Sequence, residues 1–122
     1  MFYYCTNLES FASDLSSLTD GREMFSFCSN LASFSSDLSS LTDGDYMFYN
    51  TNLKSFSTEM PMLYSAVYMF GGCSILDTIN FDTSYVKNGH GMFAGTALAT
   101  FDSDLSGLDD GSYMFYNCSN LT

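Results

Sequence analysis

Cys5, Cys28, Cys73 and Cys118 carry the only thiols of this 122-residue chain, and their spacing decides what chemistry is open to them. They stand 23, 45 and 45 residues apart. A zinc site needs cysteine pairs about two to four residues apart, so none is expected here. The disulfide question depends on the fold. If the repeat described below stacks as coils at about 4.8 Å, Cys5 and Cys28 lie on neighbouring coils within disulfide reach. The other neighbours in the row are two coils apart, at roughly 10 Å, and cannot bridge. The alternative is a row of buried thiols that fill one corner as small hydrophobes.

His90, between Gly89 and Gly91, is the only histidine, so any Ser-His-Asp or Cys-His arrangement would have to use it. It falls in an expected exposed corner with no cysteine in its own coil. No Gly-x-Ser-x-Gly elbow occurs, and the many serines read as turn formers. A non-enzyme without cofactor or metal is expected.

The carboxylates form two columns, Asp14, Asp37, Glu59, Asp82 and Asp104, then Asp20, Asp43 and Asp110. Like charges at ~5 Å repel by roughly 0.8 kcal/mol per pair in water. Amides of the following turn would offset this by donating to each carboxylate. A calcium row is the competing reading, although no nonapeptide or EF-hand loop accompanies it.

Three basic residues against fourteen acidic ones give a formal charge of -11. Nucleic acid and anionic membrane surfaces are excluded as partners, because both need Lys and Arg to neutralise phosphates. No run approaches the ~20 apolar residues of a membrane span. No leader segment is visible, and the chain stops inside a unit at Leu121-Thr122, so a fragment of a longer protein is expected.

The elements that position these groups come from one repeat. Met-Phe recurs at Met1, Met24, Met47, Met69, Met92 and Met114, at spacings of 23, 23, 22, 23 and 22. The unit reads M-F-x-x-C-S-N-L-x-S-F-x-S-D-L-S-S-L-T-D-G-x-x. The two 22-residue units, from Met47 and Met92, lack the cysteine, and a deletion is expected there. Apolar columns run through Leu8, Leu31, Leu53, Leu76, Leu98 and Leu121, through Phe11, Phe34, Phe56, Ile79 and Phe101, and through Leu18, Leu41, Leu63, Val86 and Leu108. No unit could bury these alone; stacked, they make a ladder core. Gly21, Gly44, Gly89 and Gly111 fall where the chain is expected to bend.

A period of 22–23 residues lies in the leucine-rich-repeat range. The expected fold is a leucine-rich-repeat solenoid, one domain over 1–122. One short parallel strand per coil, around Ser10–Ser13 and its equivalents, would stack on its neighbours. Loops or single helical turns, at Asp14–Leu18 and Met24–Asn30, would close the other sides. Recognition would fall to the variable columns of the strand face. These are Glu9, Ala32, Lys54, Asp77 and Ala99, the hydroxyl row Ser10, Ser33, Ser55, Thr78 and Thr100, and Ala12, Ser35, Ser57, Asn80 and Asp102. A second candidate surface is aromatic: Tyr3, Tyr49 and Tyr116 in one column, Tyr46, Tyr68 and Tyr113 in another. Tyrosine suits interfaces, being amphipathic with few rotors; the same rings could equally lie flat as packing lids.

Cys-Ser-Asn-Leu-x-Ser-Phe with Met-Phe-x-x-Cys resembles the BspA-like leucine-rich repeat of bacterial and protist surface proteins. The run Ile79-Asn80-Phe81-Asp82-Thr83-Ser84-Tyr85-Val86, with Met92-Phe93, is similar to the Phe-Asp-Thr-Ser-x-Val…Met-Phe repeat of mycoplasmal and lactic-acid-bacterial surface proteins. The chain departs from that repeat in having Gly21, Gly44, Gly89 and Gly111 where Met is usual. The resemblance implies an extracellular or cell-surface location, a protein or glycan ligand on matrix or another cell, and no catalytic residues. Neither end carries an obvious polar cap, so self-association of coils end to end or edge to edge is the alternative expectation.

Overall fold

The computed structural model describes residues 1–122. Four two-residue strands occur: β1 (Ser10–Phe11), β2 (Ser33–Phe34), β3 (Ser55–Phe56) and β4 (Thr78–Ile79). β1 pairs in parallel with β2, Ser10 opposite Ser33, and β3 with β4, Ser55 opposite Thr78. β2 does not pair with β3, and Thr100-Phe101 forms no strand. The expected unbroken ladder on this face is therefore two separate pairs.

The unbroken ladder lies elsewhere. Parallel bridges run Asp20 to Asp43 to Ser65 to Asn88 to Asp110. From there the chain climbs in tight turns whose amides alternate in purpose. In the second coil the N–H groups of Gly21, Glu23, Phe25 and Phe27 donate to the carbonyls of Asp43, Asp45, Met47 and Tyr49 in the next coil. The intervening amides of Met24, Ser26 and Cys28 close turns on Gly21, Glu23 and Phe25. Every amide of this segment is thus satisfied without a helix, and of the loops or single helical turns expected at Met24–Asn30 and Asp14–Leu18, tight turns form.

The alternation has a conformational requirement. Two columns adopt left-handed backbone: Glu23, Tyr46, Tyr68, Gly91 and Tyr113 just before each Met, and Tyr4, Phe27, Asn50, Gly72, Gly95 and Asn117 three residues after it. Glycine and asparagine do so readily; a bulky residue costs of order 1–3 kcal/mol there. Inter-coil bonds hold these residues in place. Tyr46, Tyr68, Phe27 and Tyr4 each donate an N–H to the coil above, at 2.8–3.0 Å.

The core is a file of phenyl rings. Phe2, Phe25, Phe48, Phe70, Phe93 and Phe115 stack in sequence with centroids 5.4–5.9 Å apart and nearly parallel planes. A second file, Phe11, Phe34 and Phe56, stacks at 6.1 and 5.8 Å and meets the first edge-on. Each buried phenylalanine contributes about 1.5–3 kcal/mol, but only when coils above and below cover its two faces.

Gly21, Gly44, Gly89 and Gly111 each open a turn, accepting the N–H of Met24, Met47, Met92 and Met114 at 2.9–3.1 Å, but none has positive φ, so the turn alone does not require glycine. They leave room. A Cβ on Gly21 would stand 2.8 Å from Met47 Sδ and 2.9 Å from Leu41 Cδ1, and one on Gly44 would stand 3.0 Å from Met69 Sδ. At Gly21 and Gly44 the methionine of the next coil packs over the residue; at Gly111 Leu108 of its own coil crowds the position, 2.6 Å from such a Cβ.

Candidate functional site

The cysteine column is structural. All four thiols are free. Cys28, Cys73 and Cys118 donate to the carbonyls of Phe2, Phe48 and Phe93 in the coil before. Thr51 and Thr96 stand in the same column, at 3.2 Å from Cys73 Sγ and 3.4 Å from Cys118 Sγ. The 22-residue units thus replace Cys by Thr, and the deletion expected at the cysteine falls one place later. There the turn bond from Leu31 N–H to Cys28 is exchanged for one from Asn52 N–H to Leu31 of the coil below. Burial pushes the Cys73 thiol up to about 11, far from the reactive range.

The first acidic column caps turns. Asp14, Asp37, Asp82 and Asp104 accept the N–H of Ser16, Ser39, Ser84 and Ser106 at 2.7–2.9 Å. In the third coil both partners change together. Pro61 has no N–H to give, and Glu59 instead accepts the Asp82 N–H of the next coil at 3.3 Å. In the second column Asp20, Asp43 and Asp110 accept the amides of Arg22, Asp45 and Ser112. Ser65 interrupts that column, and Asp45 reaches over from the coil below to accept Ser65 Oγ at 2.7 Å and Val67 N–H at 2.8 Å.

His90 Nδ1 lies 2.6 Å from Ser112 Oγ, which donates to Asp110 Oδ1 at 2.6 Å. These three residue types occur in hydrolases, but their order differs here. The serine hydroxyl proton goes to a carboxylate, so the imidazole is not placed to remove it. The ring of His90 has a different setting, edge-on between Tyr68 and Tyr113 at 5.4 and 5.6 Å.

That setting is part of a longer feature. Tyr3 and Tyr4 contact Phe27, which contacts Tyr49. Tyr49 contacts Tyr46 and Tyr68, and His90 carries the line to Tyr113 and Tyr116. The result is one ribbon of touching rings along the whole stack, and it gathers all six candidate tyrosines. Sequence reasoning missed Tyr4, Phe27 and His90. Their signal is position: Tyr4 and Phe27 occupy the left-handed column after each Met. Tyr46, Tyr49 and Tyr68 are half-buried, whereas Tyr3, Tyr4, Tyr113 and Tyr116 are exposed. The hydroxyls of Tyr46, Tyr49, Tyr68, Tyr113 and Tyr116 take part in no intramolecular hydrogen bond.

The strand-face candidates flank the second phenyl file, Phe11, Phe34 and Phe56. Glu9, Ser10, Ala12, Ser33, Ser35, Lys54, Ser55, Ser57, Asp77, Thr78, Asn80, Thr100 and Asp102 are all exposed. Lys54 and Asp77 meet across β3 and β4 at 3.6 Å, and Asp77 accepts the Thr78 hydroxyl. Asn80, Thr100 and Asp102 border a cleft of about 280 Å³ beside β4, which pairs with β3 but not with the next coil.

A family model described as "BspA type Leucine rich repeat region" matches residues 1–122 in six copies. Neither the curated proteins nor the solved structures contain a match.

Proposed function

The chain belongs to the BspA-type leucine-rich-repeat family, and from that premise we propose that it is a cell-surface or extracellular module of a solenoid, binding protein or glycan ligands in adhesion. The observation that carries this reading is the aromatic ribbon. Tyr46, Tyr68 and Tyr113 hold left-handed backbone that tyrosine disfavours, and their rings line up outside the core with hydroxyls unengaged. Packing does not require this, since the phenyl files already fill the interior. A row of rigid amphipathic rings is what an interface uses. The exposed strand-face residues form the second contact surface of the proposal. Repeats of this class act as interaction modules rather than enzymes, and the His90-Ser112-Asp110 order agrees with that.

Beads coated with the chain are to be tested for retention on immobilised matrix proteins and a glycan panel. Retention on at least one surface, lost in Tyr113→Ser/Tyr116→Ser, is the expected result. Those rings are 61% and 58% exposed, so the fold does not depend on them. No retention, or retention indifferent to the ribbon, overturns the proposal. Light scattering runs in parallel: growth of particle size with concentration favours assembly of copies over ligand binding.

A further inference from the structure

At one junction the stack opens, and we propose that the cleft between Ile79–Phe81 and residues 100–103 is a pocket for a basic side chain, an ammonium or guanidinium group presented by a protein partner. The inference extends the reading of the strand face as a contact surface, but it does not use the tyrosine ribbon.

The opening is written in two residues. The strand file Phe11, Phe34, Phe56 breaks at Ile79. Two residues later, where the other coils carry Ser13, Ser36, Thr58 and Ser103, this coil carries Phe81. Its ring turns inward, 5.7 Å from Phe56 and 5.9 Å from Phe70, and is 6% exposed. The fifth coil returns to the usual pattern, and Phe101 packs on Phe93 and Phe115. No ring spans the gap between Phe81 and Phe101, and a cleft of about 280 Å³ remains.

Backbone pairing fails here as it does between β2 and β3, but at that other junction Phe34 and Phe56 still stack, whereas here the ring file breaks as well. In the first pair, Ser33 and Ser35 donate N–H groups to the carbonyls of Glu9 and Phe11. The equivalent residues here are Thr100 and Asp102 opposite Asp77 and Ile79, and no such bonds form. The Ile79 carbonyl is left as an open acceptor beside the cleft. The Asp102 carboxylate also has no hydrogen bond or ion pair within the chain, unlike the aspartates of the capping columns.

The chemistry of the lining selects the ligand. It presents the Asp102 carboxylate and the polar residues Asn80, Thr100 and Ser103 beside Phe101, with no cationic residue. An unpaired carboxylate among neutral polar groups, with no cation to answer it, favours a cationic group. The net charge of -11 draws cations toward the surface. The volume lies below the roughly 300–1,000 Å³ of sites for larger small molecules, which suits one side chain.

The test is a nitrogen-15 NMR titration of the chain at low salt with three probes. Nα-acetyl-lysinamide carries the amine, Nα-acetyl-norleucinamide has the alkyl chain without charge, and a methyl glycoside is the sugar probe. Saturable shifts at the amides of residues 79–81 and 100–103 are expected with the lysine compound alone. Asp102→Asn is expected to weaken that binding at least fivefold. Ile79→Phe with Phe81→Ser restores the pattern of the first coils, closes the cleft and abolishes binding. Should the double variant fail to fold, Asp102→Asn still decides, because its side chain lies outside the core. The proposal is overturned if the lysine compound gives no localised shifts, if norleucinamide or the glycoside matches it, or if Asp102→Asn binds as well as the unaltered chain. Each of these outcomes leaves the ribbon assay untouched.

Discussion

The ring of Tyr68 lies directly over Gly91, so that a Cβ at Gly91 would stand 2.5 Å from Tyr68 Cε1 and Cζ. Gly91 occupies the column that holds Tyr46, Tyr68 and Tyr113 in other coils, and His90 supplies the missing ring from one residue earlier. Glycine here makes room for the ribbon to continue.

Gly91→Ala and Gly95→Ala separate that role from backbone strain. Both residues have positive φ, +62° and +73°, so both variants lose about 1–2 kcal/mol to the left-handed conformation. Only Gly91→Ala also displaces a ring, which adds roughly 1–3 kcal/mol; the Gly95 Cβ would meet nothing closer than 3.7 Å. Urea unfolding of the two variants checks the difference, and equal losses would show that Tyr68 moves aside freely.

Asp45 does the work of a residue missing from the next coil. Asp45→Ala removes the acceptor of both Val67 N–H and Ser65 Oγ and is expected to cost about 1–2 kcal/mol. Hydrogen exchange at the Val67 amide should quicken with it. An unchanged exchange rate would mean that the amide finds another partner.

Cys73→Thr is expected to be nearly neutral, since Thr51 and Thr96 fill the same column in neighbouring coils. Cys73→Ala removes the thiol donor to the Phe48 carbonyl, which keeps the Thr51 N–H, and is expected to cost about 0.5–1.5 kcal/mol. In the native chain Cys73 should resist iodoacetamide at pH 8, with its thiol held at about 11 and fully buried, while the half-exposed Cys5 is alkylated first. Mass spectrometry of the labelled peptides reads the order directly.

Acid weakens the stack through its turn caps. The Asp20 carboxyl is held at about 2, first by the Arg22 side chain. Asp14 and Asp110 lie below the usual carboxylate value through the hydroxyl and amide of Ser16 and Ser112. Asp82 and Asp104 are lowered through the amide and hydroxyl of Ser84 and Ser106. With folded values below the unfolded value of about 3.9, the unfolded chain binds more protons in this window. The stabilisation is complete above about pH 4 and fades as pH falls toward 2. The urea midpoint of Asp20→Asn should therefore lie below that of the unaltered chain at pH 5 and approach it at pH 2.5. A gap independent of pH would rule this out.

Much of the architecture is legible in residue types. The Met-Phe period, the leucine columns and the phenylalanine files announce stacked coils, because each apolar residue needs its equivalent above and below to be covered. Asp followed two residues later by Ser announces a capped turn, and the paired change to Glu59 and Pro61 keeps that logic. The glycine column was legible as a position and a turn but not for the room it leaves, since the Met47 and Met69 side chains that crowd Gly21 and Gly44 lie one coil away.

What the sequence by itself determined is the period, the buried columns and the family. Tertiary structure alone decided which face carries the unbroken ladder, where the rings point and where the stack opens. The physical reason is distance along the chain. The amides of Gly21, Glu23, Phe25 and Phe27 find carbonyls 22 residues on, and residue type carries no sign of that alternation. Tyrosine and phenylalanine do not advertise left-handed backbone, so only the closed ladder reveals that Tyr4, Phe27 and Tyr68 turn their rings into one ribbon. The cleft arises in the same way: Ile79 and Phe81 are ordinary apolar residues until stacking shows that one ring has left its file.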